Sequence, residues 1–592
     1  MIPSTLNATT PPKAMAHDNA NQVQSNTASK SESKITISDY LLRRIQDLGV
    51  KDLIGVPGDF NLHFLDYVMA YEGVSWIGSS NELNAGYAAD GYSRAHGIAA
   101  LLTTYGVGEL SAMNAIAGAF AEQSPIVHIV GYPSSQTKPG VILHHSLGKG
   151  LYTEFYDMYS SISVARILIA PDTTAREIDR VFETAYKRRC PVYIGLPMDL
   201  VHHQIAEPSE GLSFVLVENE AELEQRAIRE IVRVARESER PVILLDAGAS
   251  RDEIQSEVEQ MVRAIKWPCF VTTMGKGSVN EQIETFAGCY VGGLSFPNVQ
   301  KSFESADCVL SIGLFRSDLN TGFFSEKYAW TKSIELHDTY TIVHGARYNK
   351  IGMKHLIPAL IPHMRTIPSS VGVTGDAWYT SVPKPLTSKL VNQDYLWRRV
   401  SSWIKEGDVL YAETGTSSFG LLDIRLPPNV SLNSSYHWAS IGHATAAMCG
   451  AVYACGDRRR VVGFLGDGSF QLTFQEISIL VRRNCSCTIF VIDNSGYSIE
   501  RFIRGTQQAY NDIHHWNYEN TFEYFGGKGD VRVVESDVQL DAVLSDPGFG
   551  DGKGLKMCVV RCEKLDGPRM MLAMANLRGR LTADGKLDEN TP

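Results

Sequence analysis

One stretch of the sequence brings together residue types that could hold a cation beside a phosphate. Residues 461–500 read VVGFLGDGSFQLTFQEISILVRRNCSCTIFVIDNSGYSIE. An apolar run from Val461 to Leu465 stops at Gly466-Asp467-Gly468, and a second from Thr488 to Ile492 stops at Asp493-Asn494. Between them Phe474, Ile477, Leu480 and Val481 fall at i, i+3, i+4 spacing, which predicts a helix. Strand, helix, strand is the parallel βαβ unit. It would place Asp467 and Asn494 at the C-terminal ends of two parallel strands, where open α/β sheets bind ligands. Such oxygen donors suit Mg²⁺, which fills its remaining positions with water and phosphate oxygens. The flanking glycines let backbone approach a phosphate. Asp-Gly alone is usually a turn; the frame around it gives it chemical meaning.

Further groups could move protons. They lie in Val56-Pro57-Gly58-Asp59-Phe60-Asn61, Asn81-Glu82-Leu83-Asn84-Ala85, His144-His145-Ser146-Leu147-Gly148 and Gly496-Tyr497-Ser498-Ile499-Glu500. Taken singly, Asp59 is a turn residue and Glu82 a helix N-terminal carboxylate. Adjacent histidines cannot chelate one metal as an i, i+4 helical pair does, but they titrate near neutrality and suit proton transfer. In combination these stretches resemble the pyruvate decarboxylase family of fungi and bacteria, a group of thiamine diphosphate enzymes. The resemblance covers about residues 35–575.

The resemblance implies an α/β protein of three doubly wound parallel-sheet domains, binding pyrimidine, linking, and binding diphosphate, with thiamine diphosphate and Mg²⁺ as cofactors. It implies Asp467, Asn494 and Gly496 as metal ligands, and Thr416, Gly466, Gly468 and Ser469 around the diphosphate. The Ala439 carbonyl would accept the cofactor's 4′-amino group, and Ile441 would wedge the cofactor into a V shape, which is proximity catalysis. Many relatives carry Gly at the Ala439 position. Glu82, supplied by a neighbouring subunit, would bond N1′ of the aminopyrimidine. Asp59, His144, His145 and Glu500 would handle substrate protons. The implied reaction is non-oxidative decarboxylation of a 2-oxo acid to an aldehyde and CO2 through a thiamine ylide and an enamine. The implied active unit is a dimer or a homotetramer with sites at subunit interfaces. Ile499 ranks pyruvate first, with phenylpyruvate, indolepyruvate and branched acids behind it.

One departure is visible. Yeast-type relatives carry an Asp-Ala-Cys-Cys-Ser-Arg stretch whose thiol is a proposed activation sensor; here it reads Asp246-Ala247-Gly248-Ala249-Ser250-Arg251. A partner histidine is replaced by Gln123, so thiol-based sensing by that route has no nucleophile.

The elements that must position these residues follow from the pattern. Residues 1–34 are rich in Ser, Thr, Asn and Pro and are expected to be disordered. From residue 35 to about 215 helices alternate with strands at Leu53–Val56, Trp76–Gly78, Ala99–Thr103 and Ile126–Gly131. Ser38 is expected to cap the first helix, and Pro191–Pro197 to be the last strand of this pyrimidine-binding domain. A middle domain spans 216–366, a linker 367–389, and the diphosphate- and Mg²⁺-binding domain 390–592. His443 is read as structural.

The chain has 592 residues, 44% hydrophobic and 20% charged, with a net charge of −11. That balance argues against a nucleic-acid partner. No apolar run reaches the ~20 residues of a membrane helix. Ten scattered cysteines without a Cys-x-x-Cys pair are expected to be reduced core thiols in a cytoplasmic protein. A carboligase of the same cofactor class ranks lower, because such relatives generally lack the His-His pair and the Gly-Tyr-Ser-Ile-Glu stretch. A non-catalytic paralogue would be expected to have lost a carboxylate or metal ligand, and this chain has lost none.

Overall fold

Short, nearly continuous apolar runs separated by amphipathic helices pair into three large sheets, as strands buried on both faces do. The computed structural model describes residues 33–251, 254–327, 333–372, 377–387 and 389–579. Nearly all of the expected N-terminal tail, parts of the 367–389 linker and the last residues lie outside them.

The first sheet has six parallel strands in the spatial order Ser75–Gly78, Asp52–Gly55, Ala99–Thr104, Ile126–Tyr132, Val192–Pro197, Arg166–Leu168. The third sheet repeats that order with Ser431–Asn433, Val409–Ala412, Val461–Gly466, Cys487–Asp493, Leu555–Arg561 and Asp530–Val534. The two are the same topology twice. In each, the first strand lies between the second and the third, so successive crossovers leave in opposite directions and open a crevice at the strands' carboxyl ends.

The middle sheet is mixed. Phe286–Cys289, Cys269–Val271, Pro241–Leu245, Cys308–Ile312 and Ser333–Leu336 run parallel, and a hairpin of Tyr340–Val343 and Ala346–Asn349 adds an antiparallel edge. The hairpin carries weak apolar alternation, which hides it from a reading based on apolar runs. Helix Arg569–Leu577 returns from the far end of the chain to bury Met570, Met571 and Met574 in the middle core.

Three local expectations are corrected. Thr36, not Ser38, caps helix Ile37–Asp47: its hydroxyl accepts from Asp39 N–H at 3.1 Å. Ser38 lies inside the helix and donates to Val201 O at 2.8 Å. Val192–Pro197 is followed by another strand, Gln204–Ala206, which pairs antiparallel with Lys34–Thr36. The helix after Asp467 is broken into Asp467–Thr473, a 3₁₀ turn Phe474–Glu476, and Ile477–Arg482. At the break, buried Glu476 accepts from the hydroxyls of Ser79 (2.9 Å) and Ser80 (3.1 Å) in the first domain. A tertiary contact thus outweighs helical continuity there.

The first and third domains meet where helix Glu82–His96 crosses helix His443–Cys455. Glycine makes the crossing possible. A Cβ on Gly91 would sit 1.8 Å from Ala447 O, and one on Gly450 would sit 1.8 Å from Ala88 O. Neither backbone can yield cheaply, so Gly91→Ala or Gly450→Ala is expected to cost at least about 1–3 kcal/mol. The measurement is the apparent Tm of the purified variants. Unchanged melting would contradict so close a crossing.

Candidate cofactor pocket and acid–base cluster

The third sheet builds a pocket at its switch point. Val409–Ala412 and Val461–Gly466 are parallel neighbours, and their carboxyl ends deliver Glu413-Thr414-Gly415-Thr416 and Asp467. The adjacent strand Cys487–Asp493 delivers Asn494. One pocket is lined by Thr416, Ile441, Gly466, Asp467, Gly468, Ser469, Asn494 and Gly496. Every expected cofactor and metal residue of this half, except Ala439, therefore converges. Glu413, Thr414, Gly415, Ser417, Tyr497, Ser498 and Ile499 complete the lining. Of these, Glu413, Thr414, Ser417, Tyr497 and Ser498 carry polar groups beyond the expected set; the loops after two apolar strands were their signal.

Asp467 is 1% exposed. Its Oδ1 accepts from Gly468 N–H at 2.7 Å, and its Oδ2 accepts from Asn494 N–H at 3.2 Å and Gly496 N–H at 3.0 Å. Burial pushes its carboxyl up to about 7, against the pull of those N–H groups. A buried carboxylate in this state is stabilised by a cation. Gly496 has φ +126°, and a Cβ there would meet Asn511 O at 2.2 Å; a Cβ on Gly468 would meet the Tyr497 ring at 2.6 Å. The donor set is hard oxygen, the backbone is bare, and the strand ends are open. These residues fit Mg²⁺ and a diphosphate.

The first sheet presents a second group at its own carboxyl ends. Asp59 follows strand Asp52–Gly55. His144 Nε2 bonds to Asp59 Oδ2, and His145 Nε2 lies 3.6 Å from Oδ1. Two consecutive imidazoles reach one carboxylate because His145 has φ +65°, which adjacent positions in a helix could not achieve. Phe60 stacks on His144 with centroids 5.0 Å apart. The side chains of His144 and Asp59 are 59% and 46% exposed. The three groups are close enough to ligate a metal, but their exposure suits exchange of protons with a substrate. Glu82 opens helix Glu82–His96, whose cap Asn81 accepts from Asn84 N–H at 2.8 Å. The Glu82 side chain is half-buried and makes no hydrogen bond among the described residues.

None of Asp59, Glu82, His144, His145 or Glu500 lines the third-domain pocket. Glu500 is exposed on helix Ser498–Ile503, one residue beyond Ile499. In the single chain the Asp59–His144–His145 cluster thus lies outside the pocket lining, while Glu500 adjoins it through Ile499.

Segment 437–443 is held by the first domain. Glu122 Oε1 accepts from His437 N–H (2.9 Å) and Trp438 N–H (3.1 Å), and Tyr87 and Ser440 share a hydroxyl bond of 2.6 Å. Ala439 adopts φ +52°, where the relatives' glycine carries no penalty. His443 is buried and bonds Asp90 Oδ2 at 2.6 Å, so it is a structural tie between domains. Against the cost of burial, Arg94 and His443 hold the Asp90 carboxyl well below the usual range. Gly248, at the first of the yeast-type cysteine positions, has no room for a side chain: a Cβ would meet Gly313 Cα at 2.6 Å. None of the ten cysteines forms a disulfide, and all but Cys485 are buried.

Three family descriptions match the chain in order. They are the thiamine pyrophosphate enzyme N-terminal TPP binding domain over residues 35–154, the central domain over 228–353, and the C-terminal TPP binding domain over 413–549. The chain is 40% identical to a protein named pyruvate decarboxylase from Candida albicans, over 93% of this chain and 100% of that one. It is 38% identical to pyruvate decarboxylase isozyme 1 of Saccharomyces cerevisiae, over 93% and 100%. A solved putative thiamin diphosphate-dependent enzyme from Mycobacterium smegmatis superposes with a TM-score of 0.72 at 18% identity, over 89% of this chain and 99% of that one. That last likeness concerns the fold.

Proposed function

The chain belongs to the thiamine pyrophosphate enzymes, in the pyruvate decarboxylase family, and on that premise we propose that it converts a 2-oxo acid, pyruvate first, to an aldehyde and CO2. The observation that carries the reading is the third-domain pocket. Its buried Asp467, with Asn494 and Gly496, offers the donors that Mg²⁺ and a diphosphate require.

When bound, thiamine diphosphate supplies an acceptor for the electron pair left by departing CO2. The chain's own residues would do the rest. Asp467, Asn494 and the Gly496 carbonyl would hold Mg²⁺, with Thr416, Gly466, Gly468 and Ser469 around the diphosphate. Ile441 and the Ala439 carbonyl would fix the organic part. Glu82 would bond the aminopyrimidine ring. Asp59, His144, His145 and Glu500 would position the substrate carboxylate and exchange protons during aldehyde release.

The third-domain pocket and the first-domain groups, as two half-sites, would be joined by a second copy of the chain. The lack of any first-domain residue in the pocket lining supports that reading. We take the working assembly as a homotetramer built of such dimers, with domains at 35–215, 216–366 and 390–592. Ten cysteines without a disulfide suit a reducing, cytoplasmic compartment. Among the described residues no helix is long and apolar enough to cross a membrane.

Ile499 lines the pocket one residue from Glu500 and would crowd a larger substrate side chain. The test is kcat/KM for a panel of 2-oxo acids with cofactor and Mg²⁺. Pyruvate is expected to exceed phenylpyruvate. Ile499→Val, one methylene smaller, should move their ratio toward phenylpyruvate by about tenfold. A wild-type preference for phenylpyruvate would overturn the substrate ranking while leaving the reaction class intact.

A further inference from the structure

A buried polar atom without a partner needs an explanation, and in a ligand pocket the ligand is the economical one. Glu413 is 4% exposed and lines the pocket beside Ile441 and Asp467. Its Oε1 has no hydrogen-bond partner among the described residues. Its Oε2 accepts from Ala444 N–H at 3.3 Å, at the head of helix His443–Cys455. The residue therefore has one oxygen braced on the protein and one free.

The environment says what that free oxygen would meet. Burial pushes the carboxyl up to about 7, opposed by His443 and by the backbone N–H groups of Ala444, Gly442 and Thr414. Ionised, a carboxylate in this position would repel a diphosphate. It is complementary to a cationic ring or an N–H edge. The diphosphate end of the pocket is already provided for by Asp467, Asn494 and Gly496. We propose that Glu413 is a further binding residue of this pocket, a positioning group whose free oxygen contacts the organic, cationic part of thiamine diphosphate while its other oxygen fixes the helix that follows Ile441. This rests on the reading of the pocket as a thiamine diphosphate site. It ties cofactor placement to the Ile441 wedge through one side chain.

The experiment separates cofactor contact from bracing. Cofactor-free protein with Mg²⁺ is titrated calorimetrically with thiamine diphosphate and, separately, with inorganic pyrophosphate, which lacks the organic part. Wild type, Glu413→Gln and Glu413→Ala are compared, and the apparent Tm of each is recorded. Glu413→Gln keeps an oxygen for Ala444 N–H, so it should melt like wild type. Both variants are expected to bind thiamine diphosphate at least about tenfold more weakly, the loss of a charge-assisted bond, with pyrophosphate affinity unchanged or tighter. If Glu413→Ala does not fold, the Glu413→Gln ratio alone decides. Equal losses for both ligands would reduce Glu413 to a brace and overturn the proposal, as would no loss for either. A wild-type protein that binds neither ligand would instead sink the reading of the pocket itself.

Discussion

Asp467→Ala is expected to leave a folded chain that retains neither Mg²⁺ nor thiamine diphosphate after gel filtration. Asp467 is the one carboxylate lining the pocket at the end where Asn494 and Gly496 converge. Its two oxygens already order three backbone N–H groups there. Without it a bound cation would lose the one charged side chain among its expected protein ligands, and a diphosphate would lose the cation. The same carboxyl makes metal binding depend on pH, because a metal ligand must give up its proton. Burial pushes Asp467 up to about 7. Below that value the folded chain holds a neutral acid and the metal must displace a proton; above it the site is ionised and ready. For Mg²⁺ with pyrophosphate, apparent affinity at pH 6 is therefore expected to be about tenfold weaker than at pH 8, by the ionised fraction alone. Full cofactor occupancy in the variant would remove Asp467 from the metal site. A flat pH profile would mean that its ionisation is not limiting.

The parts legible in the sequence were those that local pattern encodes. The strand ending in Gly466-Asp467-Gly468 and the strand ending in Asn494 announce their own boundaries, because an apolar run must stop where glycine and acid begin. Their adjacency follows from the βαβ rule, and the structure pairs them in parallel. The edge hairpin Tyr340–Asn349 was hidden, since exposed Ala346 and Arg347 give no apolar run to read. So was the break at Phe474–Glu476. Its cause is Glu476 meeting Ser79 and Ser80, residues almost 400 positions away. The His144–His145 pair illustrates the same limit within the site. Spacing excludes a helical chelate, but only the left-handed His145 turns both rings onto Asp59. Ala439 was visible as an odd residue, and the structure gives the physical content of the oddity, a left-handed φ on a residue with a side chain. Glu413 could be seen as a strand-end residue, but its unpartnered oxygen depends on the fold of helix His443–Cys455 against it.

Glu82→Gln is expected to leave cofactor binding nearly intact and to lower kcat by about 10²–10⁴-fold, the usual worth of a positioned proton-transfer group. The substitution keeps the size of a side chain that makes no other hydrogen bond among the described residues, so folding has little reason to change. Hydrogen–deuterium exchange at C2 of bound thiamine diphosphate isolates the effect from every later step, and exchange as fast as in wild type would remove Glu82 from this role. The variant also tests how the half-sites meet. Glu82→Gln and Asp467→Ala chains should each be inactive alone. In a two-fold dimer whose sites combine Glu82 of one copy with Asp467 of the other, a mixed pair contains one site with both groups intact and one with neither. Co-expression in equal amounts makes about half the dimers mixed, so about a quarter of wild-type activity should return. If each chain instead completed its own site, every site in every combination would carry one defect, and mixing would restore nothing. Recovery therefore distinguishes a shared site from a private one without a structure of the assembly, and it does so through the two residues that the fold holds on separate sheets.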